Sequence, residues 1–393
     1  MESPFEYNSF ATGNYFIGRN KEVALMCNLL RERNNILLYG APKIGKKSII
    51  YNALEKLRQE GLNFTVCNIN LFNIRCIEAF FLRFTNDIFS SFATSSTEWN
   101  TLLKKYLPNI PYIVDEGNNN KIKFTYSSKD LLTNSQIEEL IALPDRFAAD
   151  FNIRVVIYFE HFQDFLLFDN PAKILSLMEN NFKKLARTTF LFTGEKKNAM
   201  DDIFKRQRFF RGMYEEITIK PIEKRYFTDY IIKGFLKSGK VVQPDLADFM
   251  YDLVEGDAWY LQHLSAICFD LTKGFLNDKI IEQGLYNLIN LYSFSYHYTA
   301  STLSKHQLRF LKAILEGVTK FSSADILDKY KLNSSANVNR LKEALTKKEI
   351  ITFEPNCKEA VFLDPLMKLW FKRYFFEKNT CFRHALKVKK ITY

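Results

Sequence analysis

The residues most suggestive of chemistry form one segment near the N-terminus, Gly40-Ala-Pro-Lys-Ile-Gly-Lys-Lys-Ser48. Gly40 and Gly45 allow the backbone to curl so that consecutive N–H groups point inward at phosphate oxygens. The helix expected after Gly45 adds the positive end of its dipole, and Lys46 can reach the outer phosphates. The pattern therefore predicts a phosphate-binding loop made of Gly40, Ala41, Pro42, Lys43, Ile44, Gly45, Lys46, Lys47 and Ser48.

A lysine stands at position 47, where such a loop normally carries the Ser or Thr that coordinates Mg²⁺. An ammonium group cannot be a metal ligand, although it can supply part of the cation's charge. Ser48 is the nearest hydroxyl, but one further residue along a helix rotates it by about 100°. Two interpretations stay open: a loop that still binds phosphate without a normal metal site, and a loop that is only a structural turn.

The second half of such a site is normally an apolar strand that ends in two acids, one for the metal and one to activate water. Here the strand ends Tyr158-Phe-Glu-His-Phe-Gln163. In one register Glu160 takes the metal-side place and His161 the water-activating place. In the other, Glu160 activates water and no metal carboxylate remains. Both registers lack one acid, which predicts weak or absent hydrolysis; a neutral imidazole at His161 is the alternative base.

A third strand, Thr188 to Thr193, ends at a polar residue and then Gly194. Thr193 is placed to sense a terminal phosphate. Downstream basic residues offer a candidate arginine finger for an assembled form, with a solvated basic helix end as the alternative: Lys205, Arg206, Arg208 and Arg211.

These residues need a parallel sheet to position them. Residues 34–40 and 64–71 are predicted as strands that alternate with helices over 46–59 and 76–92, and residues 154–159 form the clearest buried strand. The pattern loosens between residues 93 and 130, where the polar run 116–121 indicates a hairpin tip. From Glu223 onward only helices are expected, over 223–238, 244–255, 258–274 and 278–293.

The region 303–353 is expected to form three shorter helices followed by a strand pair, ITFEP (351–355) and EAVFLD (359–364), which is the order of a winged-helix domain. Its third helix, Ser334 to Lys348, is the one that can enter a major groove. Polar and basic residues on that helix are therefore candidates for nucleic-acid contact: Asn337, Asn339, Arg340 and Lys342. Because winged helices also bind proteins, both kinds of partner stay open.

The charge of the chain is concentrated in this C-terminal region. The 393 residues carry a formal net charge of +11, and residues 301–393 contain 19 Lys and Arg against 9 Asp and Glu. A basic C-terminal region on an otherwise nearly neutral chain is typical of proteins that contact polyanions. None of the six cysteines forms a C-x-x-C pair, and neither a signal peptide nor a membrane span is indicated, so a cytoplasmic protein without a membrane partner is expected.

Several motifs in this order resemble the archaeal-type ATPase family, a branch of the STAND and AAA+ P-loop NTPases. They are Phe16-Ile-Gly-Arg-Asn-Lys-Glu22, the phosphate-binding loop, residues 143–165, residues 190–200 and much of residues 303–373. The resemblance implies ATP as the nucleotide, with Gly18 and Arg19 at the adenine pocket. It also implies an α/β fold with a P-loop NTPase parallel-sheet core (1–220), an all-α lid (221–298), a C-terminal winged helix (299–376) and a basic tail (377–393).

The departures from the family concern turnover. Lys47 replaces Ser or Thr, His161 replaces Glu, and the lid segment Gly256-Asp-Ala-Trp-Tyr-Leu-Gln262 has Asp257 and Ala258 where relatives have His and Pro. The favoured hypothesis is an ATP-binding switch with little or no hydrolysis. The alternatives are an active Mg²⁺-dependent ATPase rebuilt from Ser48, Glu160 and His161, and a nucleotide-free module that binds DNA or protein. Whether the chain forms an oligomer stays open.

Overall fold

The structure is a computed structural model, and it describes residues 3–110, 112–117, 121–126, 132–353 and 359–376. The chain forms two compact units. The sheet unit contains residues 20–42 and 49–219. The helical unit contains residues 1–19, 43–48 and 220–393, so it takes in the N-terminal segment and most of the phosphate-binding loop.

The sheet unit is built on a five-stranded parallel sheet in the order β2-β5-β6-β1-β7. The central strands β5 and β6 are almost entirely buried, as expected for strands covered on both faces. An antiparallel hairpin, β3–β4, confirms the predicted hairpin, whose tip (118–120) lies outside the described residues. The strands are β1 (Ile36–Tyr39), β2 (Phe64–Asn70), β3 (Tyr112–Gly117), β4 (Lys121–Tyr126), β5 (Arg154–Glu160), β6 (Thr188–Gly194) and β7 (Glu215–Glu216).

Helices surround this sheet, and two of them begin with a capping box. The Ser95 and Thr133 side chains each accept a hydrogen bond from the third backbone N–H of their helix, and a Glu or Gln there bonds back to the cap. Phenylalanines fill the core, with the Phe159 ring stacked 6.1 Å from that of Phe192. The helices are α1 (Asn20–Arg31), α2 (Lys46–Gln59), α3 (Ile77–Ser90), α4 (Ser96–Tyr106), α5 (Asn134–Asp150), α6 (Pro171–Phe182) and α7 (Lys197–Asp201).

Four helices of the helical unit form a bundle: α8 (Lys224–Leu236), α9 (Pro244–Leu253), α10 (Ala258–Leu271) and α11 (Asp278–Ser301). Helix α11 runs eight residues beyond its predicted end at 293. Helices α10 and α11 approach closely at Gly284, where an added Cβ would lie 2.6 Å from the Cys268 sulfur. The N-terminal segment packs on the bundle through Phe5, which is 4 % exposed and sits among aromatic rings: Tyr230, Phe235 and Phe269.

The predicted winged-helix order is confirmed, with α12 (Lys305–Leu315), α13 (Ala324–Lys329), α14 (Ser335–Lys347), β8 (Ile351–Phe353), β9 (Ala360–Phe362) and α15 (Pro365–Trp370). Asp364 caps α15 and also accepts hydrogen bonds from Tyr260 of α10 at 2.9 Å and Tyr296 of α11 at 3.3 Å. The wing tip with Lys358 and the basic tail lie outside the described residues. Every helix in the described part of the chain is too short or too polar to cross a membrane.

Candidate functional site

The phosphate-binding loop has the backbone that its sequence predicts. Gly45 has a φ of +101°, and an added Cβ there would meet none of the described atoms within 4 Å, so conformation alone demands glycine. Lys43 also has a left-handed φ, of +62°, which is rare for a residue with a long side chain. Helix α2 begins at Lys46, whose side chain is buried (7 % exposed).

An open cavity lies beside the loop, and all of its lining residues belong to the helical unit. One wall is the loop, a second is the N-terminal segment and a third is the first turn of α10 with α8. The wall residues are Glu6, Ser9, Ala11, Tyr15, Phe16, Ile17, Arg19, Lys43, Ile44, Gly45, Ser48, Ile222, Phe227, Ala258, Trp259 and Gln262. An aromatic and aliphatic lining beside cationic and amide groups suits a flat heterocycle that carries an anionic group.

Gly18 and Arg19 hold the wall of this cavity together. An added Cβ at Gly18, whose φ is +65°, would lie 2.4 Å from an Ile222 methyl group, so both the backbone and the space require glycine. The buried Arg19 guanidinium donates to the backbone carbonyls of Ile44, at 3.4 Å, and Lys220. The predicted pair therefore braces the loop against the start of the lid.

Two contacts fasten the N-terminal segment across the site. The Ala11 N–H donates to the Ser48 hydroxyl at 2.9 Å, and the Trp259 indole N–H donates to the Tyr7 carbonyl at 2.7 Å. The Lys43 ammonium lies 3.3 Å from the centre of the Trp259 ring. The Ser48 oxygen proposed as a substitute metal ligand is thus engaged by a backbone amide.

Two titratable groups stand at the start of α10. The Tyr7 ring stacks on His263 at 3.9 Å, and burial, with a smaller contribution from the Lys43 charge, lowers the pKa of His263 to about 4. Asp257 caps the helix by accepting from the N–H groups of Trp259 and Tyr260 at 3.0 and 2.9 Å. Burial nonetheless raises the pKa of Asp257 to about 7. The family's histidine position therefore holds a helix cap in this chain.

The second group of predicted residues lies in the sheet unit, at the carboxyl ends of β5 and β6. Glu160 is buried (6 % exposed) and accepts a hydrogen bond from the Asn68 amide of β2 at 2.9 Å. His161 follows in a left-handed conformation with φ +58°, and its Nδ1 lies 3.4 Å from the Gln163 amide nitrogen. The Thr193 hydroxyl donates to the Phe159 carbonyl at 2.8 Å. The sheet thus brings Glu160, His161 and Thr193 to one edge.

Asn68 was not anticipated from the sequence. Its only signal is a polar residue near the end of a predicted strand, and the pairing of the edge strand β2 with β5 is what places it beside Glu160. The described residues contain no group of three or more His, Cys, Asp or Glu side chains able to hold a metal ion. Lys47 is exposed on the first turn of α2, in the position where a metal-binding hydroxyl would be needed.

The four candidate residues of the winged helix differ in how they are held. Asn337 donates its side-chain amide to the Leu332 carbonyl at 2.9 Å, and Lys342 lies over the rings of Phe321 and Phe353 at 5.5 and 5.2 Å. Asn339 and Arg340 are exposed on α14. Of these four residues, only Asn339 and Arg340 are exposed.

Comparisons with known proteins agree with this architecture. Residues 294–373 match the family model described as a probable winged helix domain. The Walker-type ATPase of Pyrococcus abyssi shares 14 % sequence identity over 95 % of this chain and 98 % of its own, with a TM-score of 0.60. None of the curated proteins matches the chain in sequence.

More distant similarities include the ORC2 protein of Aeropyrum pernix, determined as ADPNP and ADP complexes, at 13 % identity over 89 % of this chain and 90 % of that one, with a TM-score of 0.48. Cdc6p of Pyrobaculum aerophilum covers 93 % of this chain and 94 % of its own at 16 % identity and a TM-score of 0.45. The Pyrococcus similarity shows a shared fold: the chain has a P-loop ATPase fold with a C-terminal winged helix, as the resemblance implies.

Proposed function

We propose that this chain binds ATP in the cavity of the helical unit and acts as a nucleotide-dependent switch that hydrolyses ATP weakly or not at all. The observation that carries the proposal is that the phosphate-binding loop, the N-terminal segment and α10 form the walls of one cavity. Phosphates would lie on the loop backbone and the Lys46 ammonium, and the base among the apolar side chains of Phe16, Ile17 and Phe227.

The case against turnover rests on four positions. Lys47 cannot bind Mg²⁺, and the Ser48 hydroxyl already accepts a hydrogen bond from Ala11. Glu160 accepts a hydrogen bond from Asn68, which leaves His161 as the base at the expected water-activating place. These positions do not offer a divalent cation the usual hydroxyl and pair of acids. The positive charge of Lys47 would therefore replace part of the charge that a cation normally brings to the bound nucleotide.

The winged helix is proposed as the domain that reports the nucleotide state to a DNA or protein partner. Supporting this, Tyr260 follows the cavity residue Trp259 directly and donates a hydrogen bond to Asp364, the cap of α15. A ligand that moves the first turn of α10 would therefore act on a contact with the winged helix. The exposed Asn339 and Arg340 are the residues that such a partner could contact.

Calorimetric titration of ATP, with and without Mg²⁺, tests the proposal. The wild-type chain should bind ATP in both conditions. The Lys46→Ala variant should bind roughly tenfold to a hundredfold more weakly, because a hydrogen bond to a charged group contributes about 1.5–3 kcal/mol. Lys56→Ala is the matched control, because Lys56 lies on the same helix and is exposed. Absence of heat from the wild-type chain would contradict nucleotide binding, and equal weakening by both substitutions would contradict the role of Lys46.

A further inference from the structure

A buried amide lies beside His161, the candidate base at the end of β5. Gln163 is 2 % exposed, and hydrogen bonds engage both ends of its side chain. Its Oε1 accepts from the backbone N–H of Glu195 at 3.3 Å, and its Nε2 lies 3.3 Å from Asp164 Oδ1 and 3.4 Å from His161 Nδ1. The sheet unit thus places the two polar ends of one amide against different neighbours.

These neighbours determine which end of the amide is the oxygen. A backbone N–H can only donate, so the atom of Gln163 that meets Glu195 must be the oxygen. The other atom is therefore the nitrogen, which has one hydrogen for Asp164 and one for His161. Asp164 Oδ1 is a suitable acceptor, since it also lies 3.7 Å from the Lys196 ammonium. Reversing the amide would set a donor against the Glu195 N–H and an acceptor against the Asp164 oxygen.

The fixed amide in turn fixes the proton of a neutral His161. The amide nitrogen of Gln163 only donates, so His161 Nδ1 must use its own lone pair as the acceptor. A neutral imidazole has one N–H, and with Nδ1 unprotonated that hydrogen is on Nε2. Neither ring nitrogen then has a free lone pair with which to take a proton from water, as a general base must.

We infer that Gln163 is a positioning residue that holds neutral His161 with its proton on Nε2, so that His161 offers a hydrogen-bond donor and not a general base. The inference deepens the proposed function, and its consequence for hydrolysis rests on that function. Within the part of the chain that the structure describes, His161 Nε2 forms no hydrogen bond, so this donor is open to an acceptor oxygen of a ligand. The chain would then have lost one acid of the usual pair without gaining a base in its place.

Nitrogen NMR of the full chain, labelled with ¹⁵N-histidine and free of nucleotide, tests where the proton lies. A ring nitrogen that carries a proton resonates far from one that has a lone pair, so the spectrum identifies the tautomer. It is recorded at about pH 8.5, where a histidine of ordinary pKa, about 6.5, is neutral. His161→Asn identifies the signals, because it removes those of residue 161. Wild type should show Nε2 protonated and Nδ1 unprotonated; a protonated Nδ1, or an average of the two tautomers, would overturn the inference.

Gln163→Glu tests whether the amide is the cause. It keeps the oxygen for Glu195 and replaces Nε2 with a second oxygen that only accepts when ionised, so the His161 proton should move to Nδ1. Gln207→Glu is the matched control, because the Gln207 amide also donates to an aspartate, Asp202, at 2.8 Å in the same unit. This control should leave the proton on Nε2. An unchanged tautomer in folded Gln163→Glu would overturn the role of Gln163, and if that variant does not fold, the wild-type spectrum decides.

The outcomes of this test are separate from those for ATP binding, because no nucleotide is present. A proton on Nδ1 would overturn the inference and leave ATP binding intact. Absence of ATP binding in the calorimetric titration would contradict the proposed function, and with it the consequence for hydrolysis, while the position of the proton would stand.

Discussion

Replacing Phe5 with alanine should unfasten the N-terminal segment from the bundle. The ring is 4 % exposed and contacts Tyr230, Phe235 and Phe269, at centroid distances of 5.5, 5.6 and 6.1 Å. It also lies 2.8 Å from the position of a Cβ added at Gly234, so the ring fills a space that this glycine leaves open. Loss of the ring would leave a cavity between α8 and α10.

A buried Phe→Ala substitution destabilises a protein by about 3–5 kcal/mol. The value expected here is the lower end, about 3 kcal/mol, because a chain segment near its terminus can relax into part of the cavity. Phe10→Ala, the same substitution in the same segment at a side chain that is 41 % exposed, is the matched control and should cost about 1 kcal/mol or less.

Urea unfolding followed by tryptophan fluorescence measures the two free energies. Trp99 lies in the sheet unit, whereas Trp259 and Trp370 lie in the helical unit. Introducing Trp99→Phe in every variant therefore makes the signal specific to the unit that holds Phe5. If Phe5→Ala were no more destabilising than Phe10→Ala, Phe5 would not be the anchor of the N-terminal segment.

Two further results are expected. Lowering the pH from 7 to 5 should reduce the free energy of unfolding by about 1–2 kcal/mol through His263. The pKa of this histidine is lowered from 6.5 to about 4 in the folded chain, so its contribution is fully present above pH 6.5 and is lost as the pH falls toward 4. Asp257 has a raised pKa, so its contribution to the free energy of unfolding increases as the pH falls. The contribution of His263 is therefore isolated by comparing wild type with His263→Phe, which keeps a ring beside Tyr7. If the free energies of unfolding of the two proteins depended on pH in the same way, His263 would not be the group responsible. Phosphate release from ATP and Mg²⁺ should equal that of buffer in both wild type and Glu160→Gln, and release that Glu160→Gln abolishes would instead establish the rebuilt ATPase.

The sheet was predictable where burial dictates sequence. Strands β5 and β6 are continuous apolar runs because both of their faces are covered, and each was located to within a residue or so. Strand β7 escaped prediction because it consists of two exposed glutamates, held by backbone pairing with β1 and by an ion pair between Glu216 and Lys205 rather than by burial. Helix α4 also escaped, although Ser95 and Glu98 form a capping box, because only three of its residues face the core.

The loop of the candidate site was predictable from local spacing, but the walls of its cavity were not. Gly40 to Ser48 carry a recognisable pattern because one short backbone segment must bind phosphate. Tyr7 and Tyr230 carry no local pattern, since their partners His263 and Pro4 are more than two hundred residues away in the chain. Contacts of that separation depend on tertiary packing, which periodicity cannot show.

The length of α11 has a mechanical consequence. This single helix of 24 residues begins in the bundle and ends inside the region that matches the winged-helix family, so a continuous helix joins the two rather than a loop. It packs closely against α10 at Gly284, where an added Cβ would lie 2.6 Å from the Cys268 sulfur. From there to Ser301 the helix extends about 25 Å, and a tilt of about 10° would sweep its far end by about 4 Å. A tilt of α11 at this contact would therefore move its winged-helix end further than the part that packs against α10.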